Sequence, residues 1–301
     1  MLADVLPYLR CPICRQPLSA TGSAVRCPAG HSFDLARQGY VNLTHGRARH
    51  PGDSAAMVAA RESLLATGAL DFVPDGLAAL AGARRGLVVD VGAGTGHHLS
   101  RFLRALPDAV GLAVDASKPA LRRAARAHPR IGAVAGDVWQ SLPVADRAAA
   151  AVLVIFAPRN PAEFARIMAP HGVLLVATPT ADHLADLAAR LDTAAGVRLL
   201  RIDPEKPAQL AASLGGYFQV DSEQVQTRLL TLRRAEVENL ISMGPSAAHT
   251  DPAALRAAVG GLAEPVPVTV SVRLTRFTPL PMWTDRSLPS RAAGRDRAHG
   301  R

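Results

Sequence analysis

The chain has 301 residues, enough for one full α/β domain and a small appendage. Apolar residues make up 49% of it, ample for a core, yet no run of eighteen apolar residues occurs, which excludes a helical membrane span. A net charge of +9 points toward a polyanionic partner, with coding bias as the competing explanation, since Lys118 and Lys206 are the only lysines and arginine carries the rest.

The N-terminus, MLADVLPYLRCP, carries Asp4 and lacks a basic n-region, so the reading is a cytoplasmic protein without a secretory signal. Cys11-x₂-Cys14-x₁₂-Cys27-x₃-His31 then uses every cysteine of the chain. Three thiols and an imidazole at these spacings match a structural Cys₃His zinc site with no open coordination position. A disulfide framework would need an even number of cysteines in an oxidising compartment. The expectation is a zinc-binding module over 1–45, with the metal needed for folding of residues 1–40 only. The first fifty residues of the chain carry six arginines, Arg15 and Arg26 among them, against Asp4 and Asp34, and that surplus predicts contact with nucleic-acid phosphates.

A polar linker follows from His45 to Gly52, inside a connecting segment over 46–85. Met57, Leu64, Leu65 and Leu70 stand at helical spacing within 53–72. From residue 86 short β-branched runs alternate with alanine-rich stretches. That pattern predicts a doubly wound, Rossmann-like parallel sheet over 86–282. Strands are expected at Leu87–Val91, Val110–Val114, Ile131–Ala135, Ala151–Phe156 and Val173–Ala177, and helices near 97–106, 118–127, 161–169 and 182–192. Later come Tyr217–Val220, a helix near Arg233–Ile241 and a β-rich ending at Val266–Phe277. Residues 283–301 read as a disordered basic tail.

Open sheets bind ligands beyond the carboxyl ends of their strands. The first such end reads Asp90-Val91-Gly92-Ala93-Gly94-Thr95-Gly96. Alone, its glycines are a weak signal that a tight strand-to-helix turn would also explain. Acids at the next two strand ends strengthen it. Asp115 is placed to accept from ribose hydroxyls and Asp137 from an adenine amino group, while Asp90 anchors the loop or meets an ammonium group. An acid at each of three strand ends, with no G-x-G-x-x-G, fits S-adenosylmethionine better than a nicotinamide dinucleotide. The fourth strand ends in Phe156-Ala157-Pro158, where Phe156 is either a stacking face for a base or core, and Pro158 places carbonyls that accept amino protons. His183 either caps a helix or contacts ligand.

These residues carry a resemblance. Joined to a methyltransferase core, Cys11-Pro-Ile-Cys14, Cys27-Pro-Ala-Gly-His31-Ser-Phe33-Asp34 and Gly39-Tyr40-Val41-Asn42-Leu43 resemble the RlmA family, the 23S rRNA (guanine-N1)-methyltransferases. Helix Met57–Leu70, the glycine loop, Phe156-Ala-Pro158, the His183 element and Met243-Gly-Pro245 belong to the same resemblance, which spans about 7–280. The arginine and alanine content resembles the actinobacterial branch that protects the ribosome from tylosin-type macrolides.

The resemblance implies zinc on Cys11, Cys14, Cys27 and His31, and donor contacts at Gly96, His97 and His183. It also implies a homodimer whose zinc modules flank an RNA-sized cleft. The family's tyrosine after the linking helix falls at Leu70, which leaves packing or a backbone contact there. Met243-Gly-Pro245 stands where Met-Thr-Pro is usual. No side chain stands out as a general base. Two other classes stay open: a small-molecule methyltransferase tailoring a macrolide, and a non-catalytic SAM-sensing RNA binder.

Overall fold

The computed structural model describes residues 2–46, 52–192 and 212–281, with positions 197, 199 and 202 between them. The expected basic tail and the linker positions 47–51 lie outside the described residues.

The chain opens with a short helix α1 (Leu2–Val5) and an antiparallel ribbon of β1 (Ser19–Thr21), β2 (Ala24–Arg26) and β3 (Ser32–Asp34). Strand β4 (Tyr40–Asn42) follows, then helices α2 (Ala55–Leu65) and α3 (Phe72–Ala81). The expected single helix over 53–72 breaks where Gly68 takes φ +77°, and α3 is an additional element.

The alternation expected from residue 86 is present: β5 (Gly86–Val91), α4 (His97–Arg104), β6 (Ala109–Asp115), α5 (Lys118–Ala124), β7 (Ile131–Ala135), β8 (Ala149–Ile155), α6 (Pro161–Ile167), β9 (Met168–Pro179) and α7 (Ala185–Leu191). A long hairpin, β10 (Phe218–Leu232) and β11 (Val266–Pro279), closes the sheet and encloses helices Arg234–Ser242 and Pro252–Gly260. Sheet order is β10-β11-β9-β8-β5-β6-β7-β4, parallel from β9 to β4 and antiparallel at β11 and β10.

Period-two alternation sends side chains to two cores. Leu87, Val89 and Val91 of β5 face one, with Leu112, Val114, Val152 and Val154. Val88 faces the other, with Ala113, Leu153, Leu175 and the apolar sides of α2 to α5.

The ribbon end of the chain is built into this sheet. Tyr40–Asn42 pairs in parallel with β7. Val5, Leu9, Cys11, Val25 and Cys27 share one core with Val134, Leu142 and Val144. No helix connects β7 to β8, and α1 with the ribbon supplies the covering layer there instead. Gly132 permits it: a Cβ at that position would stand 2.3 Å from Val5 Cγ2.

Candidate active site and metal centre

The metal centre forms from two turns. Arg15 N–H donates to the Cys11 carbonyl and Gly30 N–H to the Cys27 carbonyl, each over 2.9 Å, and each turn brings two ligands together. The ligand atoms of Cys11, Cys14, Cys27 and His31 all lie within 4.8 Å of one another. Cys14 and Cys27 Sγ are 3.6 Å apart, and His31 Nδ1 lies 3.3 Å from Cys27 Sγ and 3.6 Å from Cys11 Sγ. A tetrahedron of ~2.3 Å metal–sulfur bonds has edges of roughly 3.8 Å. The donor set therefore fits zinc in both chemistry and size, with all four positions protein-filled.

The candidate donor site lies at the carboxyl ends of β5, β6 and β7. Gly92 takes φ +75° and a Cβ there would meet Ala157 Cβ at 2.5 Å; Gly96 takes φ +76° against Ala124 Cα at 2.9 Å. Neither position accepts a side chain. Asp115 accepts from Gly94 N–H over 2.8 Å and from Ser117 N–H over 2.7 Å, so it shapes the loop. A carboxylate has lone pairs left for hydroxyl donors. Burial raises its pKa, and those two N–H groups oppose the rise. Asp137 is buried and held by Trp139 N–H over 3.0 Å.

Asp90 is 2% exposed and its Oδ1 has no hydrogen-bond partner. Burial, reinforced by the charge of Asp115, pushes its carboxyl up to about 8. An orphaned buried carboxyl beside a glycine loop fits a ligand that brings a cationic ammonium group. S-adenosylmethionine fits the pocket on this ground.

The remaining expected donor contacts divide. His97 heads α4, but its Nε2 lies 2.8 Å from Asp71 Oδ1, with Arg101 on the other Asp71 oxygen at 2.6 Å. Leu70 is 4% exposed and packs in the main core, which leaves its backbone alone to reach a ligand. His98 is the neighbour that sequence reasoning missed. Its Nδ1 is buried without a partner, and burial lowers its pKa to about 3.

At the acceptor edge β8 ends at Ile155, one residue earlier than expected, because Phe156 turns to φ +53°. A left-handed aromatic residue is a costly conformation found where the surroundings impose it. The residue is 44% exposed and is not core. His183 faces it at 6.3 Å between centroids, and the helix expected from 182 starts at Ala185. Burial lowers His183 to about 4, so the imidazole is neutral at pH 7. Pro158 is exposed. Arg159 beside it has its Nε buried, and no carboxylate pairs with it among the described residues.

The two ribbon arginines differ. Arg26 is exposed and donates only to Ser32 Oγ, over 3.1 Å. Arg15 instead donates to the Leu142 and Val144 carbonyls over 2.8 and 2.9 Å and sits 3.6 Å from Asp146. These bonds fasten the ribbon to the sheet, so Arg15 has a structural role there. A larger basic surface lies elsewhere: a groove running from Thr95 and His97 between α4 and α5, lined by Arg37, Arg104, Arg122, Arg123 and Arg126. Of these only Arg123 has a carboxylate partner among the described residues, Glu62 at 3.2 Å.

Residues 9–45 match the family model described as "RlmA, N-terminal", and residues 88–172 match a methyltransferase domain. A Micromonospora griseorubida protein named "Putative 23S rRNA (guanine-N(1)-)-methyltransferase" is 52% identical over 93% of this chain and 100% of its own length. The "23S rRNA (guanine(748)-N(1))-methyltransferase" of Streptomyces fradiae is 44% identical, again over 93% of this chain and all of that protein. A Bacillus subtilis protein carrying the same description as the first is 33% identical over 59% of this chain and 66% of its own. With two relatives covered end to end at these identities, the chain belongs to the RlmA family of 23S rRNA (guanine-N1)-methyltransferases.

Proposed function

We propose that this chain methylates N1 of a guanine in a domain II hairpin of 23S rRNA, in the cytoplasm, and that the modification protects the ribosome from tylosin-type macrolides. The observation that carries the reading is that the chain presents both an aromatic acceptor edge and a basic groove. An exposed Phe156 stands beside a neutral His183 at the acceptor edge, and an arginine groove opens at Thr95 and His97 on the donor side. A large anionic substrate with an extruded base would use both.

When bound, S-adenosylmethionine supplies an electrophilic methyl group on a sulfonium, so the protein's task is alignment. The glycine loop with Asp90, Asp115 and Asp137 holds the donor. Phe156 stacks the extruded base, and the carbonyls near Pro158 accept its amino protons. His183, kept neutral by burial, adds no positive charge beside a cationic donor. No side chain is assigned as a general base, and alignment in a dry pocket supplies the acceleration. Zinc, one ion per chain on Cys11, Cys14, Cys27 and His31, holds the ribbon that carries Arg26. Strand β10, at the sheet edge with Leu229 71% exposed, supports a homodimer.

Incubation with tritiated S-adenosylmethionine and either naked 23S rRNA or candidate macrolides tests the reading, with the modified base mapped by reverse-transcriptase stop. Label in rRNA and a stop at one guanine are expected. Label in a macrolide, or binding without transfer, would replace the reading by the tailoring or sensing class.

A further inference from the structure

The donor pocket is crowded with acids, yet one guanidinium reaches across its glycine loop. Arg61 projects from α2, and its Nη1 stands 3.3 Å from where a Cβ on Gly94 would be. The same nitrogen is ion-paired with Asp53, in a contact only about a quarter exposed on either side. Nη2 donates to the Met243 carbonyl over 2.7 Å, which fixes the fork's orientation and gives the Met243-Gly-Pro245 turn a purpose. The charge of Arg61 is felt at both Asp115 and His98, so the group belongs to the pocket's own electrostatics.

Asp53 is held from the other side. Ser117 Oγ donates to its carbonyl over 2.7 Å, and Ser117 N–H is one of the two donors fixing Asp115. Gly52 lets the backbone pass: a Cβ there would stand 2.7 Å from Ser117 N. Residues 52–61 therefore cross the donor loops as a strap, with a carboxylate-guanidinium pair at Gly94.

A methyl donor of the amino-acid type ends in a zwitterion. The acids of this pocket suit its ammonium and its ribose hydroxyls, and none of them can hold its carboxylate. A guanidinium fork matches a carboxylate with two parallel N–H···O bonds. Resting on the reading of this pocket as the S-adenosylmethionine site, we propose that Arg61 grips the carboxylate of the donor's amino-acid end, and that Asp53 occupies that place when the donor is absent. Exchange of one carboxylate for another never strands Arg61 unpaired in a half-buried site, where an uncompensated charge is costly. It also keeps the fork oriented before the donor arrives, which lowers the ordering cost of binding.

Decarboxylated S-adenosylmethionine tests the proposal, because it keeps adenine, ribose, sulfonium and ammonium and lacks only the carboxylate. Titration calorimetry on the zinc-loaded full chain compares the two ligands. The parent should bind S-adenosylmethionine at least tenfold more tightly than the decarboxylated analogue. Arg61→Met should bring the two within about twofold of each other while leaving the analogue's affinity near the parent's, which also shows that the pocket is folded. Asp53→Asn removes the competing carboxylate and should tighten S-adenosylmethionine severalfold without changing the analogue. Retained discrimination in Arg61→Met overturns the proposal. If that variant binds neither ligand, Asp53→Asn decides, and no tightening there overturns it. A parent that discriminates by less than twofold refutes the Arg61 grip alone, whereas a parent that binds neither ligand refutes the donor site as well.

Discussion

Phe156 and His183 face each other from the carboxyl ends of neighbouring strands, their rings 6.3 Å apart and tilted by 34°. The exposed partner is the strained one and the half-buried partner is the neutral one. Such a pair leaves one aromatic face exposed to an incoming base. Base stacking on an aromatic face is worth about 1–3 kcal/mol. Phe156→Ala should therefore lower rRNA methylation roughly ten- to hundredfold, Phe156→Trp should retain most of it, and donor affinity should stay put in both. Unchanged turnover in the alanine variant would assign the ring to packing.

Asp90, if it meets the donor's ammonium group as proposed, should make donor binding pH-dependent. Its carboxyl sits at about 8 in the empty pocket, so it is mostly protonated at neutral pH. An ammonium group beside it favours the charged form, and binding then expels a proton. Affinity should rise as pH climbs toward 8 and level off above it. Calorimetry in buffers of different ionisation enthalpy should show proton release near pH 7, and Asp90→Asn should show none.

His183 links pH to folding rather than to donor binding. Its folded-state pKa, about 4, lies below the ordinary 6.5, so the unfolded chain binds more protons between those values. Its contribution to stability is complete above 6.5 and is lost as pH falls toward 4. The difference in melting temperature between the parent and His183→Asn should be flat above 6.5 and shift against the parent below it.

Removing zinc should reach further than the ribbon. Cys11 and Cys27 belong to the same core as Val134 and Val144, so Cys27→Ala should abolish rRNA methylation, lower the melting temperature and weaken amide protection along β7. Donor binding at β5 and β6 should persist at reduced stability. A variant that lost the metal yet melted like the parent would show that the ribbon folds as a separate unit.

The arginine groove predicts a salt signature. Removing one arginine–phosphate pair should reduce the log–log salt slope by about 0.7–0.9. Arg122→Ala with Arg126→Ala, and Arg26→Ala alone, should flatten the salt dependence of rRNA binding and leave donor affinity unchanged. Arg15→Ala should instead lower the melting temperature, because its donors hold the Leu142 and Val144 carbonyls.

The parallel strands are legible in the sequence because a strand buried on both faces reads as an unbroken apolar run. Helix α3 is hidden by Pro74 and Gly76. Proline is tolerated in a first helical turn, and Gly76 is required because a Cβ there would stand 2.5 Å from Leu274 Cδ1. Edge strand β10 shows only its first residues to pattern reading, because Asp221-Ser-Glu-Gln-Val-Gln-Thr-Arg228 carries polar side chains on both faces. Motif spacing exposes the metal ligands, the glycine loop and the acids, since each lies within a short local signature. Arg61, Asp71 and the role of Arg15 depend on partners brought in by the fold, up to 182 residues away for the Met243 carbonyl. No local pattern encodes them.

The seat of Val5 on Gly132 has a consequence for chimeras. Because the ribbon stands in for the absent β7–β8 helix, the two parts are not exchangeable cassettes. A foreign N-terminal segment carrying a bulkier side chain at position 5 of α1, or a foreign sheet carrying alanine at 132, would lift the N-terminal layer off β7. It would also pull β4 from the sheet edge and leave an open strand edge, the usual nucleus of intermolecular β-pairing. Recombinants among relatives should stay soluble only when Val5, Leu9, Arg15, Gly132 and the 142–144 turn are inherited together.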